Sequence, residues 1–215
     1  MKKTFLCAIT AILMIAIGCN VDKPTIKVAC IGNSITEGYG LAKQSSTGWP
    51  VVLNRILGDN YCVQNCGRSA TTLQRHGDFP YYICKEFSNA LLFNPDIVII
   101  KTGTNDTKPN NWHEDAFIKD YQWLIDTLKS TRNNPRIILC KPVPAFDTIW
   151  GINDSIIVNG INPIIDKLAK KNNLEVLDLH EAMKDFEAHF PDKIHPDETA
   201  AAKIAEIVAA KIKQQ

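Results

Sequence analysis

The sequence predicts an α/β domain, a parallel sheet with helices on both faces. Three observations predict it. Short β-branched runs such as Ile97-Val98-Ile99-Ile100 carry no polar position, as strands covered on both sides require. Longer segments with apolar residues at helical spacing alternate with these runs. Glycine stands at or just past the end of three runs, where a chain leaving such a sheet turns sharply.

The elements follow in order. Residues 26–31 form the first strand, which breaks at Gly32-Asn33-Ser34. Residues 49–57 form a helix. Trp49, Val52, Leu53, Ile56 and Leu57 share a face, Pro50 suits the first turn and Gly58 the stop. Residues 61–65 are a second strand, followed by Cys66-Gly67-Arg68-Ser69. Pro80 opens a helix to Phe93, broken by Asn94-Pro95. Residues 96–101 are the clearest strand, and Gly103-Thr104-Asn105-Asp106 comes after it.

An amphipathic helix then covers 114–130, burying Phe117, Tyr121, Leu124, Ile125 and Leu128. Residues 136–140 are a fourth strand. Pro142, Pro144 and Gly151 make 141–154 a loop. A helix over 155–171 is bent at Pro163. A fifth strand over 174–179, a short helix and the loop 190–196 lead to a last helix over 198–213, with Ile204, Ile207 and Val208 inward. There is no repeat, low-complexity tract or linker, so 26–215 reads as one domain.

The N-terminus reads differently. Lys2 and Lys3 precede an apolar run over 5–17, too short for the roughly 20 residues of a membrane span but suited to a signal-peptide core. Ala16-Ile17-Gly18-Cys19 resembles a bacterial lipobox, with Ala16 where that pattern prefers leucine. The resemblance implies a lipoprotein signal peptide over 1–18 and a lipid on Cys19. It also implies a short tether over 19–25 and a place in the bacterial cell envelope, on the periplasmic or outer-membrane face. The alternative is an ordinary signal peptide with an incidental cysteine.

Charge and cysteine content exclude other classes. With 24 basic and 23 acidic residues the chain is near neutral and has no basic block, which argues against nucleic acid as a partner. Cys62 and Cys66 stand too far apart along one strand to pair, and Cys30 and Cys140 sit in strand-like runs as small hydrophobes. There is no CxxC, and no closely spaced His/Asp/Glu set looks like a metal site. The expectation is no disulfide framework, no metal site and no cofactor.

Chemistry concentrates at the strand ends. Ser34 is a candidate nucleophile, which needs a base, an orienting acid and oxyanion donors. The three glycine turns all follow C-terminal strand ends, where α/β sheets place their ligands. Asp192 and His195, three apart in a turn, are spaced so that the carboxylate can orient the ring while the other ring nitrogen faces Ser34. The N–H groups of Ser34 and Gly67 and the Asn105 amide are the candidate oxyanion donors. Taken singly, Ser34 reads as a helix N-cap, Asn105 as a turn former and His195 as a surface histidine. His180, two residues after Asp178, is a rival base, whereas Asp106 reads as a turn-stabilising carboxylate. There is no Gly-x-Ser-x-Gly elbow.

These blocks resemble the SGNH hydrolases, also called GDSL-type esterases and lipases. The first is Gly32-Asn33-Ser34-Ile35-Thr36, with Asn33 where many members have aspartate. The second is Gly67, followed by the looser match Arg68-Ser69-Ala70. The third is Gly103-Thr104-Asn105-Asp106, and the last is Asp192 with His195. The resemblance implies a flavodoxin-like three-layer α/β/α sandwich with five parallel strands. It implies Ser34 as nucleophile, His195 as base and Asp192 as its partner, with Ser34, Gly67 and Asn105 as oxyanion donors.

The loops around 141–154 and 190–196 look like those of envelope carbohydrate (including sialate) O-acetylesterases. The implied function is hydrolysis of O-acyl, chiefly O-acetyl, esters on glycans through an acyl-enzyme. The alternatives are a lysophospholipase or short-chain lipid esterase, and a catalytically silent glycan-binding lipoprotein. Trp112, Trp150, Tyr81, Tyr82 and Phe146 lie in or beside loops, where each is either a sugar platform or ordinary packing.

Overall fold

A computed structural model describes residues 25–214. The expected signal segment, Cys19 and nearly all of the tether lie outside the described residues. No helix among the described residues is long and apolar enough to cross a membrane.

Five strands form one wholly parallel sheet in the order β2-β1-β3-β4-β5. They are β1 Ile26–Gly32, β2 Tyr61–Gly67, β3 Ile97–Lys101, β4 Arg136–Lys141 and β5 Glu175–Asp178. The helices are α1 Ser34–Glu37, α2 Gln44–Thr47, α3 Trp49–Leu57, α4 Lys85–Phe93 and α5 Glu114–Lys129. They continue with α6 Asp154–Ile156, α7 Asn162–Asn172, α8 Leu179–Met183 and α9 Glu198–Lys213.

Strand alternation sorts the helices into layers. Val28, Cys30, Ile97, Ile99, Ile138 and Cys140 face one side, where Trp49 and Leu53 of α3, Met183 of α8 and Ile204 and Val208 of α9 pack on them. Ala29, Ile31, Val98, Ile100, Ile137 and Leu139 face the other, covered by Phe87 of α4, Tyr121 and Ile125 of α5 and Ile165 of α7. The three central strands β1, β3 and β4 are therefore apolar on both faces, whereas the edge strands β2 and β5 are only partly buried. Fully burying one such Ile or Val contributes about 1.5–3 kcal/mol.

The expected elements are present, with local differences. The segment after Pro80 is not one helix: a 3-10 turn, Tyr81–Ile83, ends at Cys84, whose extended backbone restarts the chain as α4. The expected helix over 155–171 contains a widened π turn, Ile157–Ile161, just before Pro163. Proline has no N–H to donate into the preceding turn, so the ladder loosens there. β2 runs on to Gly67 because Cys66 and Gly67 continue the ladder with Ile31 and Gly32. Cys62 is disulfide-bonded, so the expectation of no disulfide is corrected at this residue. It lies on β2, an edge strand with one side free of the sheet. Cys66 is a free thiol, so Cys62 and Cys66 indeed do not pair, and Cys30 and Cys140 are buried free thiols as expected.

Register does the positioning. Gly32 lies opposite both Gly67 and Lys101, so the turns after β1, β2 and β3 leave the sheet at one level. Between β1 and β3 the strand order reverses direction, which opens a crevice at the carboxyl end of the sheet.

Candidate active site

The chain leaves β1 through Gly32 and Asn33 and enters the one-turn helix α1 at Ser34. Gly32 is required sterically. A Cβ there would stand 2.1 Å from Thr36 Oγ1 and 2.5 Å from the Lys101 carbonyl oxygen. Asn33, not Ser34, occupies the cap position. The reading of Ser34 as a mere helix cap therefore fails, and its hydroxyl is free for another partner. As the first helical residue it has an N–H with no acceptor one turn back.

That partner is His195, whose Nε2 lies 2.9 Å from Ser34 Oγ across the crevice. His195 Nδ1 lies 2.7 Å from Asp192 Oδ2. The other carboxylate oxygen, Oδ1, accepts the N–H groups of His195 at 2.6 Å and Ile194 at 3.0 Å. Asp192 is therefore locked onto the turn whose ring it orients, and Lys193 adopts φ +68° to close that turn. Burial alone would raise the Asp192 pKa, but these hydrogen bonds and the neighbouring ring outweigh it and hold the carboxyl below its ordinary range. A charged carboxylate on Nδ1–H presents an unprotonated Nε2 to the serine, the arrangement that lets a hydroxyl lose its proton as it attacks.

The structure brings the three expected oxyanion donors to the same end of the sheet, but not all are idle. Gly67 packs so closely under α1 that a Cβ would stand 2.2 Å from the Glu37 nitrogen. Its N–H donates to Asn65 Oδ1 at 2.8 Å, a contact that sequence reasoning missed. Asn105 uses one amide N–H on the Thr71 carbonyl at 2.9 Å and keeps the second. Asn105 is held by its neighbours: its carbonyl accepts from Asn111 Nδ2 at 3.0 Å, and Gln74 Nε2 donates to the Asn111 carbonyl.

Asp106 ties this turn to the loop after β2, accepting the Leu73 N–H at 2.9 Å and the Gln74 N–H at 2.8 Å. That is the turn-stabilising role expected of it. Burial pushes its pKa up to about 6, opposed by those same N–H groups.

The remaining candidates separate. His180 does not approach Ser34; its Nε2 lies 3.0 Å from Asp154 Oδ1, while Asp178 caps α8. Tyr81 is buried and its hydroxyl donates to the Cys66 carbonyl at 2.5 Å. Trp112 packs on Phe117, Phe146 on Phe190 and Tyr82 on Trp123. Of the loop aromatics singled out in the sequence, Trp150 packs against His195, with ring centroids 5.6 Å apart. A residue not singled out, Tyr39, lies closer still at 4.6 Å. Its signal in the sequence is an aromatic set between two glycines, Gly38-Tyr39-Gly40, just past the serine. Lys101 was also missed. It is fully buried at the end of β3, and its Nζ has no hydrogen-bond partner among the described residues.

The model of a family described as GDSL-like lipase/acylhydrolase matches residues 30–203. An acetylxylan esterase of Xylanibacter ruminicola is 43% identical over 207 residues, covering 87% of this chain and 43% of that protein. The chain thus spans less than half the length of that relative. Among solved structures, an acetyl xylan esterase, AlAXEase, superposes with a TM-score of 0.69 at 22% identity, over 87% of this chain and all of the other. A lipase/acylhydrolase from Enterococcus faecalis superposes with a TM-score of 0.70 at 22% identity, over 88% and 96%. At that identity the two structures speak to the fold, which they share with this chain.

Proposed function

The chain belongs to the GDSL-like lipase/acylhydrolase family, and from that premise we propose that it is a serine esterase removing O-acetyl groups from carbohydrate. The observation that carries the reading is the hydrogen-bonded chain from Asp192 through His195 to Ser34. A complete chain of this kind favours an enzyme over a silent binding protein. The acetylxylan esterase relative makes acetylated xylan the leading substrate class.

The chemistry follows from the geometry. Ser34 Oγ attacks the acetyl carbonyl carbon as its proton passes to His195 Nε2, and Asp192 stabilises the resulting imidazolium. The Ser34 N–H, the Gly67 N–H and the Asn105 amide receive the developing oxyanion. Gly67 must exchange Asn65 Oδ1 for it, a favourable exchange because a charged acceptor binds more strongly than a neutral amide oxygen. Collapse expels the sugar alkoxide, which takes the proton from His195. Water, deprotonated by the same ring, then releases acetate.

The buried side chains on the turns that carry Ser34 and its partners include the polar Asn33, Thr36, Asn105 and His195, and the two large rings beside them, Tyr39 and Trp150, lie on the outer side, exposed. A site for a long acyl chain gains about 0.8 kcal/mol per buried methylene, whereas a pocket for one methyl loses with each. The test is kcat/KM for p-nitrophenyl esters of rising acyl length, with acetate release from acetylated glycans alongside. Acetate is expected to be the best ester, with efficiency lower at butyrate and negligible at octanoate. Efficiency rising to octanoate would replace this reading with a lipid esterase.

The proposal includes location. The apolar run ending at Gly18-Cys19 supports a lipid anchor on Cys19 and a place in the bacterial envelope facing a glycan substrate.

A further inference from the structure

Two large rings flank the imidazole at this site and neither is buried. Tyr39 is 48% exposed and Trp150 is 57% exposed, although both pack on His195. Exposed aromatic surface beside the reacting atoms is apolar area that a bound substrate can cover.

Trp150 is also held in place by its surroundings. Its backbone is left-handed, φ +54°, followed by Gly151 at +77°, an uncommon and unfavourable conformation for a bulky residue. The loop that imposes it is anchored at several points. The Phe146 N–H donates to the Lys193 carbonyl at 2.9 Å and the Asn153 N–H to Thr107 Oγ1 at 3.0 Å. Asp154 Oδ1 accepts the Ala145 N–H at 2.8 Å and also meets His180 Nε2. Ala145, Ile152 and Ile157 pack with Ile194, the neighbour of His195. His180, unused in the chemistry, thus helps fasten the loop that presents Trp150.

We propose that Tyr39 and Trp150 form a two-ring saccharide platform beside the reacting centre. Pyranose rings of an extended glycan lie C–H face down on the aromatics while one ring presents its acetyl to Ser34. This rests on the carbohydrate reading above and narrows it: the enzyme selects oligomeric or polymeric acetylated glycans over small acetyl esters. Pyranose C–H faces match the apolar ring surfaces, and the sugar hydroxyls stay in water. A stiff ring placed in advance loses little conformational freedom on binding.

The test compares kcat/KM for acetylated xylo-oligosaccharides with that for p-nitrophenyl acetate in the full-length protein. Trp150→Ala and Tyr39→Ala should each lower the oligosaccharide-to-small-ester ratio by roughly tenfold, mainly through KM, with Trp150→Phe and Tyr39→Phe recovering most of it. Both substrates losing efficiency by the same factor would overturn the platform, leaving the rings as supports for His195. A second measurement is independent of turnover. Calorimetric binding of deacetylated xylohexaose to Ser34→Ala should weaken by a similar factor when Trp150→Ala is added, and unchanged affinity would overturn the proposal. Wild type that releases acetate from the oligosaccharide while the ratio stays fixed in the variants removes only the platform. Wild type that releases none removes the carbohydrate reading itself.

Discussion

At the scale of single residues, the site is a few side chains with sharply different jobs. Ser34→Ala should abolish both turnover and labelling by a fluorophosphonate probe; full labelling of that variant would remove Ser34 from the chemistry. Activity should fall on acidification, because a general base must be unprotonated to accept the serine proton. Asn105→Ala removes one preorganised donor, which costs about 2.7–4 kcal/mol in a known oxyanion hole. Turnover should therefore drop by roughly two to three orders of magnitude with circular dichroism unchanged. A tenfold loss or less would assign Asn105 to holding the Thr71 loop.

Lys101 makes a prediction of the opposite kind. Burial lowers its amine to about 7, with only the neighbouring Cys140 opposing the shift. A base with a lowered folded pKa binds protons more weakly folded than unfolded. Stability should thus rise with pH from about 7 to the unfolded value near 10.5. Lys101→Met should stabilise the fold at pH 7 by about 1–4 kcal/mol and flatten that rise, read by urea unfolding at several pH values.

At the scale of elements, the far end of the sheet is fastened by a charge network. Arg136, opening β4, donates Nη1–H to the Ile212 carbonyl at 2.8 Å, and Nη2–H to those of Lys211 and Gln214, both at 3.1 Å. It satisfies the last carbonyls of α9, which have no intrahelical partner. It also binds Glu175 of β5 at 2.6 Å, while Lys211 Nζ lies 3.0 Å from the same carboxylate. Those hydrogen bonds, Arg136 foremost, hold the Glu175 carboxyl at about 2.

A lowered acid pKa contributes stability above the unfolded value near 4.5 and loses it as pH falls toward about 2. The carboxylate is a third exposed, so solvent screens part of the effect. Arg136→Met should cost about 1–3 kcal/mol at pH 7 and shrink the loss of stability on acidification. A melting temperature unchanged at both pH 7 and pH 3 would show that α9 needs no such cap.

At the scale of the whole molecule, the register of three strands and the reversal of strand order build one reactive edge, and the long loop from β4 adds the exposed ring beside it. The proposed anchor at Cys19 is tested at the other end of the chain. Cys19→Ala should move the protein from the membrane fraction to soluble or unprocessed forms. Detergent partitioning identical to wild type would refute the anchor.

The sequence by itself determined the layered α/β fold, because each buried strand must be apolar on both faces and each helix on one. All five strands and the final helix were legible in the sequence. The glycines at Gly32 and Gly67 and the spacing of Asp192 and His195 were equally legible, since sterics and turn geometry act within a few residues. Tertiary structure alone decided the rest, because those relations depend on which distant segments the register brings together. It gave Asn65 the Gly67 N–H, set His180 on Asp154 and buried Lys101. It left Tyr39 and Trp150, far apart in the chain, uncovered on one imidazole.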